Sequence, residues 1–145
     1  MRKTKILLIA IGLLFLYPAI NGMGCDFNLE YKIPGHERFG SCKFGQYTLI
    51  DYPDPEKGNG YIVLKGLYFY AFGNAGLLIT GHEDHTKEIT NASIDSVNNA
   101  NRRFWRQAKI SHFGNHEVMF YSNRPKNQLL IIPYKGKLSL GDSEH

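Results

Sequence analysis

The chain has 145 residues, with 17 Lys+Arg against 13 Asp+Glu and only two cysteines. Arg2, Lys3 and Lys5 precede the first acidic residue, Asp26, so the excess from Cys25 onward falls to a single positive charge. That near neutrality excludes nucleic acid as a partner, which needs a clustered positive excess, and a 43% apolar content excludes disorder by composition.

Residues 1–24 read as an export signal. A basic start is followed by an apolar run from Ile6 to Leu16, then Pro18, then small residues before Cys25. The run is too short for a good spanning helix. The remaining chain, 25–145, is a single β-rich globular domain of about 120 residues, long enough to bury an ordinary core. Neither repeats nor low-complexity tracts divide it.

Gly22-Met23-Gly24-Cys25 resembles the lipobox of bacterial lipoproteins, with a small residue directly before the cysteine, although Leu is usual at the position of Gly22. The resemblance covers the signal alone. It implies lipid attachment at Cys25, a membrane partner through that anchor, and the periplasmic face of a bacterial membrane. Asp26 would favour retention at the inner membrane. In the other reading, Cys25 pairs with Cys42 and the protein is secreted. Closing that loop would stabilise the fold by roughly 3 kcal/mol. With lipid on Cys25, Cys42 would be a lone inert thiol.

Along the domain, 27–33 alternates with the period of a half-buried strand. Pro34-Gly35 stops it, 39–42 is turn-like, and 46–52 reads as a second strand. Pro53, Pro55, Gly58 and Gly60 mark a loop. Residues 61–72, β-branched and aromatic on both faces, predict a central strand with Gly66 as a bulge. Gly73-Asn74 suits a tight hairpin turn leading to a strand at 77–80, and 81–85 is a polar loop. The spacing of Ile94, Val97, Phe104, Trp105 and Ala108 predicts a helix over 92–108. Hairpin signals recur around Gly114-Asn115, and 129–132 predicts a strand near an edge because of Pro133. These elements predict an α+β fold, an antiparallel β-sheet of about six to eight strands with one covering α-helix. An all-β barrel or sandwich is the alternative.

The candidate sites follow from residue type and spacing. Arg102, Arg103 and Arg106 would flank Trp105 on the helix, and Glu83 and Asp84 lie in a charged loop. Both mixtures are candidates for contact with a partner protein, although a solvated face has the same pattern. His82, His85, His112 and His116 could hold Zn²⁺ or Cu²⁺ if the two pairs met, but polar turns explain them equally. Tyr68, Phe69 and Tyr70 are read first as core, and as a groove only if a tyrosine is exposed. No nucleophile elbow, phosphate loop, dinucleotide fingerprint or redox dithiol is present, and no cofactor is implied. The reading is a small exported, non-enzymatic binding protein that occupies a surface of another protein, as inhibitors, immunity and exclusion proteins do. The alternatives are a periplasmic metal-binding protein and a structural subunit of an envelope-spanning assembly.

Overall fold

The computed structural model describes residues 2–88, 105–112, 117–122 and 128–142. Among the described residues one α-helix, α1 (Arg2–Gly22), precedes eight strands: β1 (Asp26–Ile33), β2 (His36–Lys43), β3 (Gln46–Pro53), β4 (Ile62–Ala71), β5 (Asn74–Asp84), β6 (Trp105–His112), β7 (Glu117–Ser122) and β8 (Gln128–Lys137). Every strand pairs antiparallel with its neighbour in sequence, and β8 closes on β1 to make a barrel. Closure satisfies the ladder groups that an open sheet would leave at its edges.

The closed barrel fits the all-β alternative better than the expected α+β sheet with a covering helix. The decisive segment is 105–108, expected as the end of the helix. It is strand, with Leu78 opposite Trp105 and Ala75 opposite Ala108. Locally, buried Ala108 and Ile110 alternate with exposed Gln107 and Lys109, the period of a strand. Pairing with β5 and β7 then outweighs the helical spacing of a few apolar residues. The rest of the expected helix, 92–104, lies outside the described residues.

Other expectations shift by the same logic. Residues 39–42, read as a turn, are mid-strand in β2, paired on both sides by β1 and β3. His82, Glu83 and Asp84 belong to β5 rather than to a loop. Strand β8 has neighbours on both sides, so Pro133 sits opposite Glu117 without marking an edge. Gly66 does sit at a register shift between β4 and β5. A Cβ there would lie 2.5 Å from the Leu78 carbonyl oxygen, so glycine allows the two backbones to approach.

The chain runs down and up, so the two ends of the barrel differ. The β2–β3 and β4–β5 turns and both chain ends of the barrel lie at one end, here the base. The longer β3–β4 connection, with its 3₁₀ turn at Pro55–Lys57, lies at the other. The base is closed from several directions. Cys25 and Cys42 form a disulfide and are both buried, as is Leu138. The Gly45 amide donates to Cys25 Sγ at 3.3 Å.

Helix α1 runs through Pro18 to Gly22 instead of ending at the proline. Its last turn is held by the barrel. Asn21 Nδ2 donates to the Tyr70 carbonyl at 3.0 Å, and the Leu140 amide donates to the Asn21 carbonyl at 3.1 Å. Gly22 lies against the backbone of Tyr68, and Gly24 against Leu140. The small residues before Cys25 therefore have a packing role in the chain that retains them. Further up the helix, Ile6, Leu13, Leu14, Leu16 and Ile20 remain exposed.

Candidate functional site

Alternation along the strands aims one residue in two at the barrel axis. From β1 come Phe27, Leu29 and Tyr31, from β2 Arg38, and from β3 Tyr47, Leu49 and Asp51; together with inward residues of β4 to β8 they enclose a cavity of about 170 Å³. Its walls are mostly aliphatic and aromatic, including Ile110, Val118 and Ile132. An apolar wall with a few convergent polar groups is the usual composition of a ligand pocket.

The polar groups gather toward the end away from the disulfide. Arg38 faces Asp51 across the β2–β3 ladder, and its Nη2 donates to Asp51 Oδ2 at 3.3 Å. His36 Nδ1 lies 3.0 Å from the other carboxylate oxygen. The Arg38 guanidinium also stands 5.9 Å from the centre of the Tyr31 ring. Burial works against the Arg38 cation, and the Tyr31 hydroxyl and Asp51 carboxylate together outweigh it, leaving the guanidinium more strongly protonated than usual. Tyr47 is held well above the ordinary tyrosine value, chiefly by burial, with the Arg106 and Arg38 charges pulling the other way. Both guanidinium charges thus bear on one hydroxyl. Gly40 helps to place it, because a Cβ there would meet Leu29 and would lie 2.9 Å from the Tyr47 hydroxyl.

Among the described residues, two buried side-chain polar atoms have no hydrogen-bond partner, Arg38 Nε and the Tyr68 hydroxyl. Both residues line the cavity. Tyr68 is 4% exposed, and its ring meets Phe27 edge-on at 5.6 Å. It is core, as its composition implied, but core that carries an unsatisfied hydroxyl. Phe69 and Tyr70 are half-buried beside it.

The structure distributes the sequence candidates differently. Arg106 is in β6 and lines the cavity, while Lys109 is exposed on the opposite face of that strand. The helix flank that would have carried Arg106 does not form at 105–112. Arg102, Arg103 and His116 lie outside the described residues. Glu83 is exposed and accepts from Lys65 Nζ at 2.6 Å, and that ammonium, with a smaller effect from His85, holds it below the usual carboxylate range. Asp84 accepts from the Thr86 amide at 2.9 Å and the Thr86 hydroxyl at 2.8 Å, ending β5 in a local turn. Both acids already have partners within a few residues of the strand end.

The described histidines of the two pairs are not brought together. His82 and His85 lie at the far end of β5, where the His85 ring packs 4.9 Å from Tyr61. His112 ends β6 at the base, with Nδ1 at 3.1 Å from the Tyr134 hydroxyl and Nε2 at 3.4 Å from Asp142. No cluster of three metal-ligating side chains occurs among the described residues. Cys25 is bonded to Cys42, and a sulfur in a disulfide cannot also carry a thioether-linked lipid.

The cavity residues Arg38, Asp51, Tyr31 and Tyr47 were not singled out from the sequence. A signal for them existed. Once 46–52 is a strand, Asp51 shares parity with Tyr47 and Leu49, which puts a carboxylate on the apolar face and demands a partner. No family model matches the chain, and no curated protein matches it.

Proposed function

We propose that the protein is an exported, non-catalytic binding barrel whose interior takes up one small, mainly apolar molecule. The single observation that carries this reading is the cavity of about 170 Å³ inside a closed barrel, walled by aliphatic and aromatic side chains. Small eight-stranded barrels either fill the interior with side chains or hold one small ligand. A dry apolar cavity near 150 Å³ is enough for a molecule the size of benzene. Export rests on the 1–24 pattern, and Cys25 in the mature protein is the disulfide-bonded residue rather than the lipid-bearing one.

The test uses the exported protein with toluene as a neutral probe. Saturation should shift amide resonances at Ala75, Ile110, Val118 and Ile132 and raise the melting temperature. The Ala108→Leu variant, which fills the interior, should lose both responses. Shifts confined to the outer surface would sink the reading.

A second reading, an exported protein that occupies the surface of a partner, is favoured by a specific feature of the base. Phe44 and Phe72 project from adjacent turns there at 73% and 83% exposure, and the Phe72 ring lies 5.6 Å from that of Tyr17. Exposed aromatics of this kind dominate binding energy where a partner covers them. Loss of partner capture in the Phe44→Ser/Phe72→Ser double variant, with toluene binding intact, would favour this reading over the first.

A further inference from the structure

Resting on the cavity reading, we propose that the ligand is a small organic acid whose single carboxylate is held at Arg38, with its hydrocarbon part among the apolar walls. The charged lining residues of the cavity are Arg38, Arg106 and Asp51. The Arg38 guanidinium stands inside a low-dielectric wall, where an anion that bonds to it gains most and a second cation loses most.

The Arg38 fork is only partly used. Nη2 is committed to Asp51, whereas Nε is buried without a partner. A guanidinium edge is shaped for a planar carboxylate. Asp51 leaves Nε unbonded, with its oxygens 3.0 Å from His36 Nδ1 and 3.3 Å from Arg38 Nη2. Tyr31 and Tyr47 add hydroxyls to the same region, and the Tyr68 hydroxyl supplies a further unsatisfied group deeper in the wall. The volume restricts the remainder of the molecule to one ring or a short chain.

The experiment compares three probes of one shape, 3-phenylpropanoate, 3-phenylpropanol and 3-phenylpropylamine, by calorimetry and amide shifts. The acid should bind the parent protein about 10-fold or more tighter than the alcohol, the scale of one charge-assisted hydrogen bond. The amine should bind weakest. In Tyr47→Phe the preference should shrink. In Arg38→Met/Asp51→Asn, which removes the cation without leaving a buried carboxylate unpaired, acid and alcohol should bind alike. Equal binding of acid and alcohol to the parent would overturn the head-group assignment and leave the apolar cavity standing. So would a preference that survives in the double variant. Failure of all three probes to bind would overturn both.

Discussion

Arg38 and Asp51 face each other across β2 and β3 and are joined inside the barrel at 3.3 Å, where Asp51 is only 3% exposed. The pair is costly to break, because removing one partner strands the other in a poor dielectric. Asp51→Ala should therefore cost about 3–5 kcal/mol in equilibrium unfolding. The exposed Lys32–Glu37 pair, with Lys32 71% exposed, is the control; Lys32→Ala should leave the unfolding midpoint nearly unchanged. Equal effects at the two sites would show that the interior pair is solvated.

The disulfide gives a second prediction. Cys25 and Cys42 are 17 residues apart, and Cys25→Ser/Cys42→Ser should cost about 3 kcal/mol. Intact mass of the exported protein should show a chain lacking two protons and beginning at or before Cys25. Acyl mass on Cys25 would contradict the disulfide-bonded mature form.

Phe44 and Phe72 both adopt left-handed backbone conformations, with φ of 50° and 51°. Asn tolerates that region far better than an aromatic residue. Neither exposed ring gains enough burial to compensate. Phe44→Asn and Phe72→Asn should each raise stability by about 0.5–1 kcal/mol in chemical denaturation. A loss of stability would show that the rings pack in solution.

Alkaline pH should unfold the barrel through its buried tyrosines. Burial, the largest cause at both, holds Tyr47 and Tyr68 well above the ordinary tyrosine value. A raised folded value means that the native state holds the proton more tightly than the unfolded chain. The resulting stability is fully present below the unfolded value of about 10. It declines as pH climbs beyond that toward the folded values. Unfolding midpoints should be flat up to about pH 9 and fall above about pH 10, with a shallower fall in Tyr47→Phe. An unchanged slope in that variant would place the titration elsewhere.

Gly66 supplies a geometric test. Gly66→Ala would put a methyl 2.5 Å from the Leu78 carbonyl oxygen, a backbone atom that cannot rotate aside. The variant should lose at least about 2 kcal/mol, in the range of overpacking penalties. Gly81→Ala, with open space around its Cβ, should lose far less.

Much of the strand content was legible in the sequence alone. The double-faced apolar run over 61–72 became β4, the alternation of 27–33 became β1, and Gly66 became the bulge, because each signal is local. Periodicity, β-branching and glycine's lack of a Cβ act over a few residues. Closure of the barrel is a long-range fact. It depends on β1 reaching β8, with Leu29 opposite Tyr134, and no local pattern encodes that pairing. Pairing of β6 with β5 turned 105–108 from helix to strand and turned Arg106 from the surface to the interior. The hairpin registers set Tyr31 and Asp51 opposite Arg38, which required 26–33, 36–43 and 46–53 all to pair as strands. The composition of this stretch of chain specified that charged groups would need partners. Only the curvature of the sheet, which brings alternate residues of separate strands to a common axis, determined which partners they found.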